Sequence, residues 1–384
     1  MTTKNLEQMR HDIDNIDAQI TDLFKQRMET SLEIAKYKKE NAVPVLSDSR
    51  EKEIMHKISE QIGEPFDGYA RLLFNTIFDA SRSCQNNYLA RKSDLAERIE
   101  AALRQTPKLF PKKAVVACQG VAGSYSQAAC ERLFEVPSIM FFNSFEGVFN
   151  AVEKGLCQYG ILPIENSSYG SVGAVYDLMQ NYNFHIVRGI RQRISHNLMA
   201  KASTRLSDVK EIFSHEQAIG QCGEFLKTLK NVKVTVCENT ALAAKMVAES
   251  GRNDIAAISS KECLDLYGLE LLKKHIQVSD NNYTRFICIS KDLEIYPEAN
   301  KMSIMLSIPH RPGALAEIIS KFAAIDVNLT KLESRPMPGM DFEFRFIFDF
   351  MASPQENAVQ CLLSELSRDP EIEHFDFLGA YVES

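Results

Sequence analysis

The N-terminal quarter of the chain carries an apolar repeat with helical spacing. Its apolar side chains follow one another at gaps of three or four residues, which places them on one face of a helix. They are Leu6, Met9, Ile13, Ile16, Ile20 and Leu23. Because no glycine or proline precedes Pro44, the pattern predicts a helix over residues 5–41, about 55 Å long at ~1.5 Å per residue. That is too long for one small domain, so we expect a partner chain to share it, as in an intertwined helical dimer.

Two further helices complete this region. Pro44 ends the first helix, and the pattern predicts helices over residues 48–62 and 66–103, separated by Gly63-Glu64-Pro65. We therefore expect an all-α domain over residues 1–103. A basic, proline-bearing linker follows at residues 104–113.

Beyond this linker, short apolar runs alternate with helical patterns. The runs cover residues 114–118, 159–164, 209–213 and 232–236. Alternating strands and helices indicate an α/β sheet, which we assign to residues 114–291. A polar linker is predicted at 292–301. Residues 302–384 then read strand–helix–strand–strand–helix–strand (βαββαβ), the order of a small ferredoxin-like α+β module. The chain is thus multidomain.

Composition narrows the class of protein without indicating a chemistry. The 384 residues are 45% apolar and 25% charged, with a formal net charge of −7, which argues against a dedicated partner of nucleic acid or of an anionic membrane. Nine scattered cysteines without a CxxC pair argue against a disulfide framework or a zinc site and favour a reducing compartment. The first residues lack the apolar segment of a signal peptide. We therefore expect a cytoplasmic protein.

Two cations interrupt the apolar face of the first helix. Arg27 falls where the next apolar residue is due, and Lys38 lies about 20° away on the helical wheel at ~100° per residue. A solvated charged helix is the plain alternative, but the phase of Arg27 favours an inward-facing anion site. Arg10 is rotated by about 100° from Arg27, so it would have to reach the same site from the partner chain.

These cations belong to an ordered set that resembles the all-helical chorismate mutases. The set is Arg10, Arg27, Lys38, Arg50, Glu51, Ser81 and Gln85. The resemblance implies rearrangement of chorismate to prephenate, with Lys38 and Gln85 donating to the ether oxygen. It also implies that the arginines clamp the carboxylates, and that Glu51 and Ser81 hold the hydroxyl and flank of the substrate. The family often has Asp where Ser47 stands, so hydroxyl recognition passes either to Ser47 or to Glu51 alone.

Polar strings at residues 120–126, 164–172 and 214–218 follow predicted strands, where open α/β sheets bind ligands, whereas residues 281–286 lead into a predicted strand. Pro163–Ser167 and Tyr283–Phe286 resemble prephenate dehydratase, which implies a periplasmic-binding-like fold of two lobes with the active cleft between them. By this resemblance Thr284, positioned by Arg285 and Phe286, donates the proton that helps the ring hydroxyl leave, and a proton relay through His215 is one alternative. The implied substrate-binding residues are Ser124, Asn166, Ser167, Ser214, His215, Gln217, Arg285 and Phe286. Glu165 is expected to be structural, because a free carboxylate would repel a dianionic substrate.

Two strings in the last region resemble the phenylalanine-binding ACT module. They are His310–Ala316, which enters a helix, and Glu333–Pro336. The resemblance implies a site for L-Phe whose carboxylate lies on backbone amides at the helix start, with Glu333 and Ser334 near the amine or at the module interface. The implied residues are Gly313, Ala314, Leu315, Ala316, Glu333, Ser334, Arg335 and Pro336.

The three resemblances stand in the order of the bifunctional P-protein family of phenylalanine biosynthesis. They imply that chorismate becomes prephenate at one site and phenylpyruvate, CO2 and water at a second, with feedback by L-Phe. They imply a homodimer or higher homo-oligomer, no cofactor, no metal, and no nucleic-acid or membrane partner. The alternatives are a non-catalytic amino-acid sensor and an enzyme whose dehydratase substrate is arogenate.

Overall fold

A computed structural model describes residues 5–41, 48–89, 93–279, 281–337 and 344–384. The chain divides into two compact units. The first contains the described residues up to Glu97 with Arg311–Ile325 and Asn357–Ile372, and the second contains Arg98–His310, Asp326–Glu356 and Glu373–Ser384. These units cut across the expected boundaries, because the two helices of the C-terminal region group with the N-terminal helices and its strands do not.

The N-terminal helices are α1 (Leu6–Asn41), α2 (Asp48–Ile62), α3 (Asp67–Leu89) and α4 (Asp94–Gln105). The predictions for the first two helices are confirmed. The single helix expected over 66–103 is wrong, because α3 ends at Leu89 and Ser93 starts α4 by accepting a hydrogen bond from the Ala96 amide (3.0 Å). A serine in this position supplies the acceptor that the first turn of a helix lacks.

The first unit also holds α12 (Ala314–Ala323) and α13 (Asn357–Leu366). Ser83 of α3 donates to Glu365 of α13 (2.8 Å), and Lys321 pairs with the same carboxylate (2.9 Å). The predicted apolar face of α1 is open in the single chain, with Leu6 60% and Leu23 64% exposed.

The second unit contains two sheets. The elements around the first are β1 (Lys113–Gln119), α5 (Tyr125–Leu133), β2 (Val136–Phe142), α6 (Phe145–Glu153), β3 (Tyr159–Asn166), β4 (Gly170–Ser171), α7 (Gly173–Met179), β5 (His185–Arg193) and β11 (Tyr283–Ser290). Those of the second are β6 (Asn197–Ala200), a 3-10 turn (Leu206–Asp208), β7 (Glu211–Ser214), α8 (Glu216–Gln221), α9 (Gly223–Thr228), β8 (Lys233–Val236), α10 (Thr240–Glu249), β9 (Ile255–Ser259), α11 (Glu262–Tyr267) and β10 (Glu270–Lys273). The second sheet has the order β10-β6-β9-β7-β8. The expected alternation of strands and helices and the two α/β lobes are thus present.

The C-terminal strands extend the first sheet. They are β12 (Lys301–Ser307), β13 (Asn328–Pro336), β14 (Phe344–Met351) and β15 (Phe375–Glu383), and with α12 and α13 they follow the expected βαββαβ order. The end of β15 pairs in parallel with β5, through Val382 with Arg188 and Glu383 with Gly189. One sheet therefore runs β13-β14-β12-β15-β5-β11-β3-β1-β2, with β4 paired to β3. Met305, Ile347 and Tyr381 share a hydrophobic core with the first lobe, so the linker expected at 292–301 does not separate the strands on its two sides.

Two chain-wide features complete the fold. All nine cysteines lie in described segments and are free thiols. Among the described helices, none is both long and apolar enough to cross a membrane.

Candidate active sites

Arg27 lies where α1 packs against α3. Its guanidinium donates to the Ser81 hydroxyl, approaches the Ile77 carbonyl oxygen (3.5 Å) and lies over the Phe78 ring at 5.7 Å. Ser31, one turn further along α1, is buried on the same side. The prediction that Arg27 faces inward is confirmed, and Ser81 is its neighbour.

Glu51 supplies the acidic member of this cluster. Burial lowers the pKa of Arg27 and of Lys38, and in both cases the negative charge of Glu51 acts in the opposite direction. Arg82 pairs with Glu51 (2.5 Å) and also with Asp79. Sequence reasoning missed Arg82, because a single arginine on an amphipathic helix is usually solvated; its place beside Ser81 was the signal available.

Gln85 lies one turn beyond Ser81 on α3 and is 8% exposed. Within the described ranges no group hydrogen-bonds to its buried side-chain oxygen. Buried polar atoms without a partner are rare in proteins, and an amide oxygen and nitrogen can exchange places by a flip. The arrangement therefore leaves a polar amide available to a ligand beside Arg27, Ser81 and Glu51.

Two predicted residues lie apart from this cluster, and a third is outside the described residues. Arg50 is exposed and pairs with Glu53 (2.6 Å) on the surface of α2. Arg10 is exposed and lies about 25 Å from Arg27 along α1, at ~1.5 Å per residue. Ser47 lies outside the described residues.

In the second unit, Thr284 and Asn166 form the centre of the other candidate site. They are directly opposite each other on β11 and β3. The Asn166 side-chain amide donates to Thr284 Oγ1 (2.9 Å). Because that oxygen accepts from Asn166, the Thr284 hydroxyl proton points in another direction.

The orientation of the Asn166 amide is set by the backbone. Its Oδ1 accepts from the amides of Ser168 (2.9 Å) and Tyr169 (3.2 Å). Its Nδ2 therefore faces Thr284 and also donates to Asn282 Oδ1 (3.0 Å). Backbone donors thus determine which way the Thr284 hydroxyl is turned.

The network continues into the second lobe. Asn282 donates to Gln221 Oε1 (2.7 Å), and that oxygen also lies 2.7 Å from His196 Nε2. Since Gln221 offers an oxygen here, His196 carries its proton on Nε2. His196 is 2% exposed, and burial lowers its pKa, so the neutral ring is favoured.

A cavity of about 260 Å³ lies against this network. It is lined by Ser168, Tyr169, Gly220, Gln221, Gln277, Val278, Ser279 and Asn282. Gln277 is 9% exposed, and no described residue accepts from its side-chain nitrogen. The cavity is therefore rich in amide and hydroxyl groups that suit carboxylate and carbonyl oxygens.

Several predicted residues are engaged in local structure near this network. Ser167 donates to the Asn281 carbonyl oxygen (3.0 Å) and accepts from the Tyr283 amide (2.9 Å). Ser124 caps α5 by accepting from the Gln127 amide (3.4 Å). Phe286 is buried in the core of the first lobe, so the prediction that it contacts substrate is wrong.

The predicted residues at the start of α8 are also engaged in local structure. Ser214 does not cap the helix; it is buried and donates to the Ile258 carbonyl oxygen (2.8 Å). His215 is the capping residue, with Nδ1 accepting from the Gln217 amide (3.4 Å), and burial lowers its pKa. The Gln217 side chain is exposed, and the backbone carbonyl oxygen of Gln217 accepts from the Tyr169 hydroxyl (3.2 Å).

Arg285 turns away from Thr284. Its guanidinium pairs with Glu383, pairs with Asp349 (2.5 Å) and donates to the Tyr381 hydroxyl (2.8 Å). With its nitrogens held by the C-terminal strands, the prediction that Arg285 binds substrate is wrong. Glu165 lies 3.9 Å from Arg285 and pairs with Lys331 (3.2 Å), which is the structural role expected for it.

The residues expected to bind L-Phe fall into both units. In the first unit Gly313 caps α12 with a φ of 87°, followed by buried Ala314, half-buried Leu315 and exposed Ala316. In the second unit the Glu333 carboxylate accepts from the Ser171 hydroxyl (2.6 Å). Two guanidinium nitrogens of Arg335 donate to the two carboxylate oxygens of Asp177 (2.8 Å each). Ser334 and Pro336 are exposed on the other face of β13.

Comparisons with known proteins show which families and folds this chain is similar to. The family model "Prephenate dehydratase" matches residues 116–294, and "Chorismate mutase type II" matches residues 9–86. An arogenate dehydratase/prephenate dehydratase of Arabidopsis thaliana is 36% identical, covering 65% of this chain and 68% of its own. A bifunctional chorismate mutase/prephenate dehydratase of Escherichia coli K12 is 29% identical over an alignment that covers 95% of this chain and 94% of that protein. The crystal structure of an Arthrobacter aurescens prephenate dehydratase in complex with L-Phe superposes with a TM-score of 0.64 at 28% identity, over 70% of this chain and 89% of its own.

Proposed function

We propose which residues carry out each of two reactions in this chain, which belongs to the prephenate dehydratase family. A chorismate mutase type II region precedes the dehydratase region, so the chain is a bifunctional enzyme of phenylalanine biosynthesis. Chorismate rearranges to prephenate between α1, α2 and α3. Prephenate loses water and CO2 at the Thr284–Asn166 pair. The observation that carries the second assignment is the amide network that turns the Thr284 hydroxyl beside a polar cavity.

The mutase cluster supports a pericyclic reaction, which needs positioning and charge stabilisation rather than a nucleophile. Arg27 and Lys38 supply positive charge for a dicarboxylate, and Glu51 lies near both cations. Gln85 offers a buried amide without a partner among the described residues. We assign donation to the ether oxygen to Lys38 and Gln85, and substrate binding to Arg27, Glu51 and Ser81.

The dehydratase pair supports general acid catalysis. The bond between the ring and its carboxylate breaks to release CO2, and its electrons enter the ring as the carbon–oxygen bond breaks. Thr284 donates its proton to the departing hydroxyl, which leaves as water, and the threonine oxygen recovers a proton from solvent. Asn166 stabilises that oxygen by donating to it while it is negatively charged.

Turnover by the full-length chain tests this function. Chorismate should be consumed, and prephenate should be converted to phenylpyruvate. The absorbances of chorismate and of phenylpyruvate measure the two reactions. A non-catalytic amino-acid sensor would give neither product.

Arogenate is the second candidate substrate, because the Arabidopsis relative is named for both substrates. A parallel arm with arogenate compares kcat/KM for the two. Prephenate is our assignment because a relative that matches across both regions, the Escherichia coli K12 enzyme, is named for it.

We also propose feedback by L-Phe through the C-terminal region, as an ACT module. The element order βαββαβ and the bound L-Phe of the Arthrobacter relative support this. Adding L-Phe to the full chain should lower the rate of the dehydratase reaction, and binding of L-Phe should be measurable by calorimetry. An unchanged rate at saturating L-Phe would contradict this.

The assembly we propose is a homodimer formed through α1, in the reducing cytoplasm. The open apolar face of α1 and the distance of Arg10 from Arg27 support a partner that supplies Arg10. Ile16→Asp should give a monomer in sedimentation and reduce mutase turnover. A wild-type monomer with full mutase activity would contradict it.

A further inference from the structure

The neighbours of Thr284 and Asn166 lie on the other face of the sheet. Successive side chains of a strand point to opposite faces. The ladder between β3 and β11 pairs Thr284 with Asn166 and, one position along, Arg285 with Glu165. The first pair joins the amide network, and the second pair meets the C-terminal strands.

Arg285 is held on that face by buried side chains of the C-terminal strands. It is 6% exposed and contacts Asp349, Glu383 and Tyr381. Both carboxylates have second partners of their own: Ser303 donates to Asp349 (2.6 Å) and Lys301 pairs with Glu383 (2.9 Å). Two more exposed groups join this set: Arg191 pairs with Glu383 (2.9 Å), and Glu165 lies 3.9 Å from Arg285. The buried members alone are two cations and two carboxylates, and such pairing is what a buried ion cluster requires to be stable.

The ladder itself is irregular at this point. The pairing of β11 with β3 shifts register between Arg285 and Phe286, whereas its pairing with β5 is continuous from Tyr283 to Cys288. A bulge locally disrupts the ladder on the side where it occurs, so, on the β3 side, side-chain contacts add to the ladder hydrogen bonds in holding this segment. The buried ion pairs of Arg285 are among these contacts.

We propose that Arg285 positions Thr284 for proton donation, and that Asp349 and Glu383 of the C-terminal strands hold Arg285 in the place this requires. The inference rests on the proposed dehydratase function of Thr284. It makes the C-terminal strands part of the framework of the dehydratase site. Arg285 acts through its neighbour and does not touch the substrate.

The test is Glu383→Gln in the full chain, with Asp177→Asn as matched control. Each change removes one carboxylate from an ion pair that joins a C-terminal strand to the first lobe. The Asp177 pair is with Arg335 and does not involve β11. For Glu383→Gln we expect kcat for phenylpyruvate formation to fall by about 10- to 100-fold with KM within about threefold, since small displacements of a reacting group have effects of this size. The solvent deuterium isotope effect on kcat should rise, because proton donation becomes slower. Neither quantity should change in Asp177→Asn.

A milder variant covers the case in which Glu383→Gln does not fold. Tyr381→Phe removes the hydroxyl that accepts from Arg285 and leaves no charge unpaired. It should lower kcat and raise the isotope effect in the same direction. A folded Glu383→Gln or Tyr381→Phe chain with wild-type kcat and isotope effect would overturn the proposal. If wild-type chain makes no phenylpyruvate, it is the proposed function that fails.

Discussion

Replacing Asn166 by aspartate reverses the hydrogen bonding around Thr284 at almost constant shape. The carboxylate can still accept from the Ser168 and Tyr169 amides, but it no longer donates to Thr284 or Asn282. The Thr284 hydroxyl would then donate to the carboxylate instead of to the departing group. Asn166→Asp therefore removes the proton donor without removing its side chain.

The structure sets the size of the effect. Two lost hydrogen bonds cost about 1 kcal/mol each, so most of a typical ~5–15 kcal/mol stability remains and the variant should fold. Loss of a general acid and of one oxyanion donor corresponds to about 10²- to 10³-fold in kcat. At acidic pH the carboxyl becomes protonated and regains a donor, so the relative activity of the variant should rise as pH falls.

Phenylpyruvate formation by the full chain is the assay, with chorismate consumption followed in the same preparation. Asn181→Asp is the control, because it makes the same chemical change at an exposed position of the same lobe. Mutase turnover should be unchanged in both variants. Dehydratase turnover of Asn166→Asp within about threefold of wild type, far from the loss expected for a general acid, would refute the orientation assigned to Thr284.

Three further predictions address stability and pH. Gln85→Leu removes a buried polar atom that lacks a partner among the described residues, so it should raise the free energy of unfolding by about 1 kcal/mol while lowering mutase kcat; a loss of stability in urea would contradict this. Gly379→Ala should destabilise the chain by about 3 kcal/mol or more, because its φ is 148° and a methyl would lie 2.2 Å from the Ile186 carbonyl oxygen; a melting temperature equal to wild type would refute that contact. Burial lowers the pKa of His196 in the folded chain, so as pH falls below about 6.5 the unfolded chain takes up a proton at His196 before the folded chain does. The free energy of unfolding of wild type, measured by urea titration, should therefore fall from pH 7.5 to 5.5. It should fall less in His196→Gln.

Elements whose signal is local were predictable from the sequence. The helical repeat and Pro44 led to α1, and the bounds of α2 follow from its flanking residues. The strings around Asn166 and Thr284 identified a pair that the structure joins by a hydrogen bond. The two helices depend on neighbours within a few residues, which a pattern records, whereas Asn166 and Thr284 differ by 118 in residue number and were identified by family resemblance.

Features that depend on distant partners were missed. Arg285 was assigned to substrate from the family resemblance of its string, yet strand alternation turns it toward Asp349 and Glu383, which are remote in sequence. The joining of β15 to β5 rests on two register pairs that no local pattern specifies. The start of α4 was missed for another reason: its capping residue Ser93 is a local signal that the single predicted helix over 66–103 did not use.

The central claim is that one chain holds two separate sites, and the most direct test measures both reactions in two single variants. Lys38→Ala should abolish conversion of chorismate and leave the prephenate-to-phenylpyruvate rate unchanged. Thr284→Ala should do the reverse. A wild-type chain that makes prephenate and phenylpyruvate, together with this reciprocal loss, is the predicted result. Equal loss of both activities in either variant would contradict it.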